Sequence, residues 1–437
     1  MSDTEEDEND VASVGKLFSR AIERGPRVIV RKARTGFLML KNHGPRATFG
    51  YLRSKVGQVT GAQKPRLLVD IADAAAVDWT QLPERITDPI TVADRPSRIA
   101  WIMSPPGKES GGHQNLFRFI KFAEQAGHRC DVYLYHAGEV AVDLQVVRDM
   151  LGASEAYPKL DGTLQVWDRA RGVADDTDAI FATGWETAYP AFLDESRARR
   201  FYFVQDYEPL FYPLGSEALL AENTYRFGYH GITAGGWLAH KLNTEFGMVT
   251  DHFDFSVDRS LYRYENTGRR NEIFFYARPV TPRRAFEFGL IALADFARMR
   301  PDVTINLAGW DVSNWEIPFE YNNLSSLQLS ELNAVYNRCA AGLVLSLSNM
   351  SLLPLELLAS GVVPVVNDGP NNRMVSDNPY IEYVPASPLA IARTLAEVVD
   401  RPDAPEYAKT ISESVASTTW EDSGRAFVAA FERAMHG

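Results

Sequence analysis

Cysteine is nearly absent from this 437-residue chain: there are two, Cys130 and Cys339, far apart in sequence. That number excludes a disulfide framework and a zinc site built on cysteines, and it fits a reducing cytoplasm. No run of about 18 apolar residues occurs, so no membrane-spanning helix is expected. Excess positive charge is missing as well. The formal net charge is −12, which argues against a dedicated nucleic-acid binder and leaves room only for local basic patches. The metal-binding H-E-x-x-H, the nucleophile elbow G-x-S-x-G, the phosphate loop ending in Gly-Lys-Ser/Thr and the dinucleotide fingerprint G-x-G-x-x-G are all absent. Their absence leaves zinc proteases, serine hydrolases and P-loop enzymes without support.

What is present is a globular composition, 45% hydrophobic and 11% aromatic, in a chain long enough for two domains with appendages. Charge is segregated at the start. Residues 1–12 are acidic, with Glu5, Glu6, Asp7, Glu8 and Asp10, unlike a secretory leader, and read as a disordered tail. From Lys16 to Arg66 the charge reverses, and Glu23 is the sole acid among Lys and Arg interleaved with apolar residues. Residues 13–95 therefore read as a basic helical extension. Its 13–66 part suits an anionic membrane surface and suits equally an extra helical layer with a solvated basic face.

From Arg98 onward short apolar runs alternate with helical periodicity. Residues 99–103 read as a buried strand. Gly111-Gly112 then opens a helix with Leu116, Phe119, Ile120 and Ala123 on one face, stopped at Gly127. Further strands are predicted at 130–135, 179–182, 200–204 and 231–234. The pattern restarts at Asn271, with strands at 273–276, 303–307, 342–347 and 362–366 and helices at 283–299, 331–339 and 355–359. This alternation implies α/β architecture with parallel sheets. The boundaries it gives are a first domain over 96–260, a second over 261–415, and a last helix over 416–437 crossing back to the first.

Three motifs could carry chemistry. The loop S-P-P-G-K-E-S-G-G at 104–112 joins the first strand to its helix. Gly111 and Gly112 there would let a ligand approach the backbone at a helix N-terminus, although glycine loops also simply turn. The stretch F-F-Y-A-R-P-V-T-P-R-R at 274–284 puts Arg278 just beyond a strand's C-terminal end, where open α/β sheets bind ligands. It also puts Arg283 and Arg284 at a helix start, a poor place for cations unless an anion neutralises them. The stretch S-N-M-S-L-L-P-L-E-L-L-A-S-G at 348–361 offers free amides around Ser351 and Leu352. It also carries Glu356 on an otherwise apolar helix, where the carboxylate needs a polar partner, either a ligand hydroxyl or a structural one.

These segments resemble glycosyltransferase family 4 within the GT-B fold, and more narrowly the WsaF-like rhamnosyltransferases that use dTDP-rhamnose. The resemblance spans roughly residue 98 to the end. It implies two Rossmann-like domains facing a central cleft, with the extension added in front. It implies that Arg278 and Arg284 hold the donor diphosphate, where the amides at Gly111, Gly112, Ser351 and Leu352 are read to help. Glu356 matches the second Glu of the family's E-x7-E element and would hold ribose or sugar. The first Glu falls at Ser348, a departure at the donor-sugar contact. V-Q-D-Y-E-P-L-F-Y-P at 204–213 resembles the WsaF-like loop facing the sugar, so Asp206 and Glu208 are the catalytic candidates, with loop bracing as the alternative. Trp185 and His113 would line the acceptor cleft or else pack.

The resulting expectation is a glycosyltransferase that moves a sugar, rhamnose by preference, from a nucleotide diphosphate sugar to a glycan or lipid-linked glycan. The family implies retention of configuration. No metal and no other cofactor is expected: the acids Asp175, Asp176 and Asp178 precede a strand, whereas the Asp-x-Asp metal site of GT-A enzymes follows one. A cytoplasmic location, peripheral to the inner face of the membrane, goes with this reading. A nucleotide-sugar epimerase on the same fold and a non-catalytic binding protein remain open at this point.

Overall fold

The structure, a computed structural model, describes residues 67–91, 95–108, 110–137 and 141–436. The acidic tail and the basic segment 13–66 lie outside the described residues. Two short helices come first, α1 (Ile71–Ala76) and α2 (Glu84–Thr87). They pack on the first domain: Val69 and Ile86 are buried in its core, and Arg85 donates to the carbonyls of Asp194 and Phe192.

The first sheet is built from β1 (Arg98–Met103), β2 (Arg129–Leu134), β3 (Leu164–Val166), β4 (Ala179–Ala182), β5 (Arg199–Val204), β6 (His230–Ala234) and β7 (Val249–Phe253). Its seven strands run in the order β3-β2-β1-β4-β5-β6-β7, all parallel. The helices between them are α3 (Gly111–Gln125), α4 (Leu144–Gly152), α5 (Trp185–Leu193), α6 (Ser216–Asn223) and α7 (Gly236–Phe246). Central strands are apolar along their length because helices cover both faces. Trp101 stacks on Phe181 at 4.1 Å on one face, while Tyr202 and Tyr225 stack on the other.

The second sheet contains β8 (Glu272–Tyr276), β9 (Thr304–Ala308), β10 (Asn322–Ser325), β11 (Cys339–Val344), β12 (Val363–Asn367) and β13 (Glu382–Val384). Its order is β10-β9-β8-β11-β12-β13, again all parallel. Its helices are α8 (Phe286–Met299), α9 (Leu329–Tyr336), α10 (Leu353–Ala359), α11 (Pro370–Arg373), α12 (Pro388–Val399) and α13 (Ala404–Glu413). Gly289 lets α8 lie directly on β8, since a Cβ there would meet the Phe275 ring at 2.3 Å. The last helix, α14 (Trp420–His436), packs on α3 and β7 of the first sheet. Two parallel-sheet α/β domains therefore stand as expected.

The helix expected at 283–299 is shorter. Pro282–Arg284 form a 3-10 turn, and Ala285 takes a left-handed φ of 46° before α8 begins. Arg283 and Arg284 therefore sit on a separate strained turn ahead of the helix.

Candidate functional site

In each sheet the strand order reverses direction once, between β1 and β4 in the first and between β8 and β11 in the second. The crevice beyond the strand ends at such a reversal is where open α/β sheets take ligands. Here the two crevices face one another, because the loops after β5 and β11 bond directly. Asp206 accepts from the Asn349 backbone N–H at 2.8 Å and from the Ser348 hydroxyl at 3.0 Å. Asn349 Nδ2 donates to the carbonyls of Gln205 and Ala234 at 3.0 and 2.8 Å. A second contact lies beside it, where Gly235 adopts φ +88° and a Cβ would press on Val375 at 3.3 Å.

The second sheet contributes a cationic wall. Arg278 leaves the end of β8 and lies over Tyr276 and Trp310, 5.8 and 5.9 Å from their ring centroids. Gly309, at φ +112°, makes room for this, since a Cβ there would meet the Tyr276 ring at 2.6 Å. Arg284 Nη1 donates to the Ser346 hydroxyl at 2.7 Å, linking the loops after β8 and β11 across the reversal point. Burial lowers its pKa, with the facing Arg283 and Arg278 pulling the same way and Asp206 opposing. Arg283, absent from the expected site set, stacks over Phe211 at 4.0 Å and places Nε 3.3 Å from Asp206 Oδ2. Arg283 pairs with Asp206, and Arg284 lies close to Asp206, Arg283 and Arg278, a local excess of positive charge suited to a diphosphate.

Glu356, on α10, accepts from the Tyr336 hydroxyl at 3.3 Å. Burial pushes its carboxyl up to about 7, against the Tyr336 hydroxyl and the Arg118 cation. Arg118 was not foreseen. It projects from α3 with its guanidinium 4.0 Å from the Trp420 ring centroid, bringing a first-domain cation toward Glu356. A lone Arg on a helix whose neighbours Phe117 and Phe119 are apolar was the available signal. The N–H groups of Ser351 and Leu352 have no hydrogen-bond partner among the described residues. Gly111 and Gly112 are exposed, and a Cβ on Gly111 would meet nothing within 4 Å. The protein's own packing therefore gives no reason for glycine there.

Several candidates take other roles. Ser348 is wholly buried and spent on Asp206, so it does not stand in for a sugar-facing carboxylate. Asp206 holds the two domains together and is itself buried. Glu208 is buried with one oxygen accepting from the Trp185 N–H at 2.6 Å and the Tyr202 hydroxyl at 2.8 Å. It braces the turn Glu208–Phe211, and burial with the facing Glu186 carboxylate pushes it up to about 8. Trp185 is buried too, its indole N–H donating to the Tyr212 hydroxyl at 2.9 Å, so its ring packs instead of stacking on a ligand. Burial holds the His113 pKa down; the ring is lodged between Ser104 and Ser110 at the rim of the cleft. Among the described residues no group of His, Cys, Asp and Glu is arranged to hold a metal ion, and no helix is long and apolar enough to cross a membrane.

Known proteins resemble this chain. Residues 165–234 match the WsaF N-terminal domain and residues 271–396 the WsaF C-terminal domain. The O-antigen biosynthesis protein RfbC of Myxococcus xanthus is 31% identical over 341 residues, covering 75% of this chain and 26% of that protein. The chain thus spans about a quarter of the length of that relative. Among solved structures, a mutant of S. aureus TarM, in complex with fondaparinux, α-GlcNAc-glycerol and UDP, superposes with a TM-score of 0.59 at 8% identity, over 78% of this chain and 100% of that one. Sucrose-phosphate synthase from Thermosynechococcus elongatus superposes with a TM-score of 0.54 at 12% identity, over 78% of this chain and 96% of that one. The chain has the GT-B glycosyltransferase fold.

Proposed function

We propose that this protein transfers a sugar from a nucleoside diphosphate donor to a hydroxyl of a glycan or lipid-linked glycan, with dTDP-rhamnose as the donor to try first. One observation carries the reading. The second sheet's reversal point gathers Arg278, Arg283 and Arg284 with only Asp206 to offset them, and it faces the first sheet's reversal point. Such an arrangement stabilises a diphosphate leaving group as charge develops on it, in a site where burial strengthens each interaction. The unpaired amides of Ser351 and Leu352 and the open glycines at 111 and 112 are placed to add hydrogen bonds to it. Glu356 would hold ribose hydroxyls. With three guanidinium groups supplying positive charge, the leaving group needs no metal. The WsaF domain matches support a glycosyltransferase, the RfbC relative supports a polysaccharide product, and the rhamnosyl donor rests on the sequence resemblance alone.

The test is turnover of dTDP-rhamnose, UDP-glucose and GDP-mannose, read as release of nucleoside diphosphate. Release from dTDP-rhamnose ahead of the others, stimulated by extracted lipid-linked glycan, is the expected result. Formation of an epimer with no release of nucleoside diphosphate would identify an epimerase on this fold. Tight binding with no change in the donor would identify a binding protein.

A further inference from the structure

Glu186 has no place in the site as described so far, yet it stands at the first sheet's reversal point. It is the second residue of α5, just beyond the end of β4. Its carboxylate folds back over the helix start: a Cβ on Gly184 would lie 2.8 and 2.9 Å from its two oxygens. It faces the Ser104 hydroxyl at the end of β1, across the reversal. Ser104 Oγ lies 3.3 Å from His113 Nε2, and the Ser104 carbonyl oxygen lies 3.1 Å from the same nitrogen. The carbonyl can only accept, so Nε2 carries the proton and Nδ1 accepts from the Ser110 hydroxyl at 2.7 Å. The imidazole is thereby fixed as a neutral wall, consistent with burial lowering its pKa.

Two carboxylates meet at the start of α5, and they differ in exposure. Glu208 takes the Trp185 N–H and is buried. Glu186 keeps a little exposed surface where Glu208 keeps almost none. Neighbouring carboxylates do not both ionise readily. Burial and the facing Glu186 carboxylate push Glu208 up to about 8, so charge on one of the pair disfavours charge on the other. Burial raises Glu186 as well, the direction that makes a carboxylate a better base.

We propose that Glu186 receives the proton of the attacking acceptor hydroxyl, with Ser104 and neutral His113 forming the hydrogen-bonding wall of the acceptor subsite. This rests on the transferase reading above. The hydroxyl oxygen bonds to the anomeric carbon, and the bond from that carbon to the phosphate oxygen breaks. The electron pair leaves with the nucleoside diphosphate, and the hydroxyl proton ends on the Glu186 carboxylate. The role passes from Asp206, which is spent on Asn349, Ser348 and Tyr207, and from the buried Glu208 to the partly exposed Glu186.

The experiment uses the full chain and measures nucleoside diphosphate release from dTDP-rhamnose, UDP-glucose and GDP-mannose. Water and glycerol serve as hydroxyl sources, across an acid-to-alkaline pH series. The groups facing Glu186 are Ser104 after β1, with His113 of α3 behind it, Tyr202 on β5, and Glu208 and Tyr212 at the turn after β5. Glu186→Gln should slow release about 10²–10⁴-fold, flatten the acid limb of the pH profile, and leave nucleoside diphosphate affinity unchanged. Glu186→Asp should recover part of the rate together with the limb. Gly184→Ala, which crowds the carboxylate without removing it, should give an intermediate loss. If Glu186→Gln binds nucleotide and releases product as fast as wild type, Glu186 only caps α5; the inference falls and the transferase reading stands. If the wild-type chain binds no nucleoside diphosphate, or releases none from any donor, both fall.

Discussion

Asp206→Ala should loosen the junction between the two domains. The substitution leaves the N–H groups of Asn349 and Tyr207 and the Ser348 hydroxyl without their acceptor, and removes the carboxylate 3.3 Å from Arg283 Nε. Breaking a buried charge pair typically costs about 3–5 kcal/mol. Arg283 is 26% exposed, so water recovers part of its loss, and about 3 kcal/mol is the better figure. At roughly 2 °C per kcal/mol for a large domain, the melting temperature should fall by about 6 °C. Most of the lost bonds join the end of β5 to the loop after β11, so the two sheets should also melt more independently. Scanning calorimetry then shows a broadened or split transition. Asp206→Asn keeps an acceptor for the two N–H groups but loses the ion pair, and should cost about 1–2 kcal/mol in a single transition. A melting temperature within a degree of wild type for Asp206→Ala, with one sharp transition, would refute the junction.

Two further outcomes follow from the site. Glu356 has a folded pKa of about 7 against an ordinary 4.5, so the stability tied to its protonated form is fully present below about pH 4.5 and is lost as pH rises through about 7. Glu356→Gln stays neutral, so it should melt with wild type in acid and above it by a few degrees in alkali; identical curves in alkali would refute the burial argument. Ala285→Gly should stabilise the chain by about 0.5–1 kcal/mol by relieving the left-handed φ of 46° ahead of α8. A lower melting temperature would show that this turn is not strained.

The strands that were legible in the sequence are the central ones. β1, β2, β4, β5 and β6, and β8, β9, β11 and β12, are covered on both faces and read as apolar runs. The four that escaped, β3, β7, β10 and β13, are the four sheet edges. Edge strands carry polar residues where helices do not cover them, as in Asn322-Asn323 of β10 and Asp251-His252 of β7. The two-domain α/β plan was therefore visible, while the width of each sheet was not. At the site, Arg278 could be singled out because open α/β sheets take ligands beyond their strand ends, and Arg284 because a cation expected at a helix start calls for an anion. The carboxylates could not be sorted in the same way. Glu186, Asp206 and Glu208 all follow strands of one sheet, and only their hydrogen-bond partners and small differences in burial separate the two that are spent on bracing from the third. Ser348 looked like a lost sugar contact in sequence, and it proves to be half of the bond that brings the domains together.

The most direct test of the nucleotide-sugar cleft is calorimetric titration of dTDP, UDP and GDP into wild type, Arg278→Ala and Arg284→Met. Binding of dTDP in preference to the others, weakened about 10–100-fold by loss of either guanidinium, is the expected result. No nucleoside diphosphate bound by the wild type, or equal affinity in both variants, would contradict the arginine-walled cleft as a donor site.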